Sequence, residues 1–257
     1  MITARAIAAY LDDLLATATF PDYPSALNGL QIDHRGPVRG VATAVDFSLR
    51  TISRAAEAGA NFLVLHHGMY WGGLQRLVDL PYARLRLLID HDMALYAAHL
   101  PLDAHPEIGN CALLASGLGL PWDRRFGEFQ GAAIGVAGTT DLPTEELVRR
   151  ASIMVGPHGG TVRSSAPAHG HRTQRWAIIT GSGADSTTLR AAAAAGIDTL
   201  ITGEGPHHTT VDAPDLGLMI LYCGHYASET LGVQALASRI GEQFNLPAEF
   251  LLLPTGS

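Results

Sequence analysis

The chain is predicted to fold as an α/β protein of two similar β-α lobes, and three features of the sequence say so. Short apolar runs alternate with helical stretches, the pattern of β-α units on a largely parallel sheet. Two stretches of the first half overlay on the second in register. AEAGANFLVLHHG (56–68) lies over AAAGIDTLITGEG (193–205) with Ala56, Ala58, Gly59, Leu63 and Gly68 on identical residues, and MALYAAHLPLD (93–103) lies over MILYCGHYASE (219–229) with Met93, Leu95, Tyr96 and His99 identical and Asp103 on Glu229. Third, histidines and carboxylates gather where apolar strands end, as in LVLHHG, and open α/β sheets bind ligands beyond the carboxyl ends of their strands.

In chain order, the first lobe (1–122) opens with an amphipathic helix, MITARAIAAYLDDLLATA, interrupted by Asp12 and Asp13. VRGVATAVD (38–46) reads as a strand, SLRTISRAAEAG (48–59) as a helix closed by Gly59, and NFLVLHH (61–67) as a buried strand. LPYARLRLLIDHD (80–92) is helical, MALYAAHLPLD (93–103) a strand opening into a loop that Pro101 keeps extended, and NCALLASGLGL (110–120) a helix. Residues 123–174 are richer in Gly, Pro and His, and read as a variable connecting region with one helix, TEELVRRASIMV. The second lobe (175–257) resumes the pattern: WAIITGSG strand, STTLRAAAAAG helix, IDTLITGE strand, a short helix from HHTTVDAPDLG, LMILYCGH strand, ASETLGVQALASRIGEQFN helix and an EFLLLP strand. A repeat of this kind implies a pseudo-twofold, with the site in the cleft where the two sets of strand ends converge.

Composition narrows the chemistry. With 257 residues, 47% of them hydrophobic, the chain can bury a large core. A net charge of −7 argues against nucleic acid as a partner, because non-specific binding needs a basic field. The opening helix lacks the uninterrupted apolar core of a signal peptide and nothing reaches bilayer-spanning length, so a cytoplasmic protein without a membrane partner is expected. Two cysteines, Cys111 and Cys223, are too few for a disulfide framework or a thiolate zinc site. The absence of lysine removes the lysine of a phosphate-binding P-loop and any Schiff-base mechanism.

The histidines carry the functional signal. His66 and His67 close a fully apolar strand, where imidazole nitrogens have to be satisfied. On an extended strand they point to opposite sides and can serve two neighbouring metals, unless the strand has ended and the chain turns at Gly68. His225 and Glu229, at i and i+4, fall on one face of a first helical turn, and His99 and Asp103 repeat the spacing. Mixed imidazole and carboxylate donors suit zinc, iron or manganese, and carboxylates can bridge a pair of ions. His91, His105, His158, His169 and His171 read as turn or core residues instead. Cys223 reads as a small buried residue, and the turn GSGADSTT (181–188) hints at anion binding at a helix start.

The segments Asn28-Gly29-Leu30-Gln31, HHG followed by Trp71, HLPLDAHPEIGN (99–110), TGE (202–204) and GHYASETLGVQAL (224–236) resemble, in order and spacing, the Nif-three-like dinuclear metal-centre proteins, often labelled GTP cyclohydrolase 1 type 2 homologues. The resemblance runs from about Ser25 to Pro254 and is to the compact form, since 121–174 is too short for the full inserted domain of many relatives. It implies two divalent ions per subunit on His66, His67, Asp103, His225 and Glu229, with His99 and Glu204 close to the metals as catalytic candidates. It also implies a toroidal homohexamer, a trimer of dimers. The expected activity is metal-dependent hydrolysis of a small molecule such as a nucleotide, by ring opening or at a phosphoester; the alternative is a non-catalytic metal-binding, metal-delivery or regulatory protein.

Overall fold

The structure is a computed structural model, and it describes residues 1–256. The chain forms two compact units, one of residues 1–102 with 232–253, the other of residues 103–231 with those from Pro254 onward.

The first unit begins with α1 (Ala4–Leu15), whose Thr3 side chain accepts the Ala6 N–H and whose buried Ile7, Leu11 and Leu15 recur at helical spacing. Next come β1 (Gly29–Ile32), β2 (Val41–Asp46), α2 (Leu49–Glu57), β3 (Phe62–His67), α3 (Asp79–Asp90) and β4 (Ala94–Ala97). Strands β2, β3 and β4 are parallel neighbours and β1 lies antiparallel on β4. All six residues of β3 are buried, as its apolar run predicts for a central parallel strand. Its side chains Leu63 and Leu65 pack with Ile52, Leu88, Met93 and Leu95.

A short helix, α4 (Leu100–Asp103), leads out of β4 where an extended loop was expected. Pro101 is accommodated because it stands in the first turn, where backbone N–H groups have no intrahelical acceptor in any case.

The second unit contains α5 (Asn110–Gly117), β5 (Trp122–Phe129), β6 (Ala132–Pro143), α6 (Thr144–Val155), β7 (Arg163–Ser164), β8 (Arg172–Ile179), α7 (Ser186–Ala194), β9 (Thr199–Thr202), α8 (His207–Asp215), β10 (Met219–Tyr222) and α9 (His225–Ser228). Its six strands run in the order β5-β6-β8-β9-β10-β7; β8, β9 and β10 are parallel, and β6 is antiparallel to β5 and β8. One cluster around Trp176, Ile178 and Leu221 packs with Leu114, Leu147 and Ala151 of α5 and α6, and another around Leu200 and Ile220 packs with Leu189 and Ala213 of α7 and α8. Then α10 (Thr230–Phe244) carries the chain back to the first unit, where β11 (Ala248–Phe250) pairs parallel with β2 and completes the order β1-β4-β3-β2-β11.

The expected division into 1–122, 123–174 and 175–257 therefore gives way to another. Most of 123–174 belongs to the second sheet, and 232–253 belongs to the first unit. The glycines that suggested a loop sit inside strands at crowded points: a Cβ at Gly135 would strike the Ile178 carbonyl, and one at Gly138 the Pro121 carbonyl and the Trp176 ring. Gln130 and Gly131, at φ 49° and 86°, make the two-residue hairpin turn that joins β5 to β6.

The repeat is present in the local structure. Each unit contains a βαβαβ run, β2-α2-β3-α3-β4 and β8-α7-β9-α8-β10, with a short antiparallel strand on the last member. The overlaid glycines end their helices alike. Gly59 (φ +76°) is followed by Ala60, whose N–H bonds the Ala55 carbonyl at 3.0 Å; Gly196 (φ +67°) is followed by Ile197, bonded to Ala192 at 3.0 Å. Among the described residues no helix is long and apolar enough to cross a membrane.

Candidate metal centre

In the first unit the apolar run of β3 delivers two imidazoles because the strand stops at His67 and the chain turns at Gly68. A Cβ at Gly68 would lie 2.5 Å from the Gln31 amide and 2.6 Å from the Ala97 Cβ, so the turn needs glycine. Gln31 anchors that turn: its Oε1 accepts the Met69 N–H at 2.8 Å, and its Nε2 donates to the Ala26 and Leu27 carbonyls. Both histidines lie within β3, His67 still paired with Asp46 of β2. The rings of His66 and His67 lie 4.8 Å apart, and His99, just beyond β4, brings its ring to 5.0 Å from His66 and 5.7 Å from His67.

One donor atom from each of these three histidines falls within 4.8 Å of the others. All three are buried. Their Nδ1 atoms share one arrangement. His66 Nδ1 meets the Ala98 carbonyl at 2.9 Å, His67 Nδ1 meets Asp46 Oδ1 at 2.8 Å, and His99 Nδ1 meets Asp22 Oδ1 at 2.8 Å. Carbonyls and carboxylates only accept, so each Nδ1 carries a hydrogen, and in the neutral ring that leaves the lone pair on Nε2. Metal-ligating histidines are oriented by this kind of contact.

Asp22 and Asp46 are residues that the sequence did not single out. Asp46 left a signal only as a carboxylate ending an apolar strand; Asp22 left none apart from standing near NGLQ. Asn28 of that motif donates to Asp22 Oδ2 at 2.8 Å and accepts the His99 N–H, while Asp22 Oδ2 also accepts the Leu100 N–H. Burial alone would raise the Asp22 pKa, but the hydrogen bond and charge of His99, with Asn28 and the Tyr23 N–H, outweigh it and hold the carboxyl below its usual range.

The second unit has a cluster of its own. His225 opens α9 directly after Gly224 (φ +90°); its Nδ1 donates to Glu204 Oε1 at 2.9 Å, and its Nε2 lies 3.2 Å from Glu229 Oε2. Burial would lower the His225 pKa, yet the two carboxylates, Glu229 foremost, raise it to about 9. Glu229 is 2% exposed and is admitted by glycine: Gly181 has φ +60°, and a Cβ there would fall on the Glu229 carboxylate. The Gly181 N–H donates to Ser228 Oγ at 3.0 Å, which fixes the same approach. Asp103, also buried, accepts from Asn110 Nδ2 at 2.8 Å and Thr180 Oγ1 at 3.0 Å.

The remaining sequence signals take structural roles. Asp185 caps α7 by accepting the Thr188 N–H at 2.7 Å, so the helix start in GSGADSTT already has its carboxylate. Burial pushes the Cys111 and Cys223 thiols up to about 12, which leaves neither as a thiolate. His105 Nδ1 accepts turn N–H groups from Glu107 and Ile108, His171 bonds Thr144, and His169 lies exposed beside Glu145.

The donors gathered in the two units are imidazoles and carboxylates with no thiolate, a set that fits borderline divalent ions. Residues 2–254 match the family model described as Duf34/NIF3 (NGG1p interacting factor 3). The chain is 42% identical over 253 residues to a Deinococcus radiodurans protein named GTP cyclohydrolase 1 type 2 homolog, covering 96% of this chain and 92% of that one. A Halobacterium salinarum protein of the same name is 40% identical, over 95% and 96% of the two chains. Among solved structures, TTHA1606 from Thermus thermophilus superposes with a TM-score of 0.82 at 33% identity and full coverage of both chains.

Proposed function

The chain belongs to the Duf34/NIF3 family, and from that premise we propose that it holds two divalent metal ions per subunit and uses them to hydrolyse a small-molecule substrate. The metals in view are zinc, iron or manganese. In this reading His66, His67, His225, Asp103 and Glu229 would hold the ions, the two carboxylates contributing to both, with His99 and Glu204 beside them. When bound, the ions would supply Lewis-acid polarisation of the substrate and a water of lowered pKa.

One observation carries the proposal: four imidazoles, from three stretches of chain, each have Nδ1 tied to an oxygen acceptor. Packing alone does not ask for buried imidazoles gathered with their Nδ1 atoms held in this way; ligation by Nε2 of His66, His67 and His225 does, with His99 oriented alike beside them. Asp22, Asp46 and Glu204 then fix the tautomer and aim of His99, His67 and His225. Asn110 and Thr180 hold the Asp103 carboxylate in a fixed orientation. The relatives' name supports ring opening of a nucleotide as one form of the hydrolysis, and phosphoester cleavage uses the same groups equally well.

Metal analysis of the purified protein, followed by an activity screen over nucleotides and phosphoesters with that metal, tests the reading. About two ions per chain and a turnover abolished by chelation are expected. A protein that carries metal but turns over none of these, and instead passes its ions to a metal-free acceptor, would be a delivery protein; the deep burial of His66 and Glu229 favours that second reading.

A further inference from the structure

Two large aromatic side chains stand beside the imidazoles of the first unit and are left in water. Trp71 is 40% exposed and Tyr23 is 48% exposed. The Trp71 ring lies 4.4 Å from that of His99 at 61° and 5.3 Å from that of His67 at 39°. Tyr23 lies 6.0 Å from Trp71, nearly perpendicular at 82°, and 6.1 Å from His99. Both are placed by the residues that build the metal candidate: Tyr23 follows Asp22, the partner of His99, and Trp71 lies in the turn that Gly68 begins, with its N–H directed at the Gly68 carbonyl.

We propose that Trp71 and Tyr23 form a stacking platform for a planar aromatic or heteroaromatic ring of the substrate, whose reacting group lies against His67 and His99. The inference rests on the metal-centre reading for the position of the reacting group, and on the aromatic geometry alone for the ring. Aromatic rings prefer offset-stacked or edge-to-face contacts at centroid separations of about 4.5–7 Å. Two exposed walls set perpendicular to each other offer a third ring both contacts together, a face on one side and an edge on the other. An aliphatic group of the same size would cover the same apolar area without the quadrupole attraction. Large aromatics normally bury most of their surface, and a ligand ring would cover what this pair leaves open.

Phenyl phosphate and cyclohexyl phosphate, alike in charge and size and different in planarity, provide the test. Calorimetric titration of the metal-loaded full chain is expected to give about tenfold tighter binding of phenyl phosphate. That preference should collapse in Trp71→Leu and Tyr23→Leu and survive in Trp71→Phe, with metal content unchanged in all three. The same ranking at weaker affinity is expected in the metal-free protein, so the platform is tested separately from the metals. Equal affinity for the two esters, binding of neither in either form, or a preference that the leucine variants keep would overturn the proposal. Absence of metal from the wild type would instead remove the metal-centre reading.

Discussion

An imidazole offers two nitrogens, and in His66, His67, His99 and His225 the Nδ1 atom is committed to an acceptor oxygen. Sequence reading found these histidines because they follow apolar strands or repeat the His-x-x-x-carboxylate spacing. It did not find Asp22 or Asp46, since a single Asp on the chain looks the same whether it is solvated or holding a ring. Asp46→Asn keeps the shape and removes the charge behind His67, so metal affinity should fall about 10- to 100-fold by chelator competition. The exposed Glu57→Gln should leave it unchanged. Asp22 also sets an acid limit. Its folded pKa lies below the ordinary aspartate value of 3.8, so its stabilising contribution is present above that pH and is lost as pH falls through the folded value. Acid unfolding followed by circular dichroism should begin at higher pH in metal-free Asp22→Asn, and coincident curves would contradict the linkage.

Helices and strands with clean periodicity were legible. The buried β3, the helix ends at Gly59 and Gly196 and the helix TEELVRRASIMV stand where the sequence placed them. The β5-β6 hairpin was not, because Gly127, Gly131, Gly135 and Gly138 read as loop while the fold uses some of them where backbones and rings approach too closely for a side chain. The turn sequence Gln130-Gly131 also lacks the asparagine that usually marks positive φ at both positions. Glycine has the opposite importance at Gly181. Gly181→Ala would both strain a φ of +60° and drive a methyl group onto the Glu229 carboxylate. We expect that variant to remain folded by circular dichroism and to lose metal, whereas Gly217→Ala, with nothing near its Cβ, should keep its metal despite similar backbone strain. Equal metal content in the two would show that Glu229 tolerates displacement.

The chain as a whole leaves its first unit at Leu102 and returns to it at Gly232, a path that no composition shift announces. Lobe boundaries drawn from the sequence followed the repeat, and the repeat does not contain the returning α10 and β11. What the repeat did expose is which positions correspond: His67 with Glu204, His99 with His225, and Asp103 with Glu229. The family resemblance further leads us to propose a homohexamer, so light scattering should give a mass near six times 27.2 kDa, and a monomer at micromolar concentration would contradict it. The most direct test of the metal proposal is stoichiometry under identical loading in the wild type, Asp103→Asn, Glu229→Gln and His67→Ala. Carboxamides are nearly isosteric with the carboxylates and neutral, so they remove a shared charge without changing the shape. The account predicts about two ions in the wild type, loss of both in each carboxamide variant, and loss chiefly of one in His67→Ala. A wild type without metal, or carboxamide variants that keep both ions while His67→Ala loses both, would contradict it.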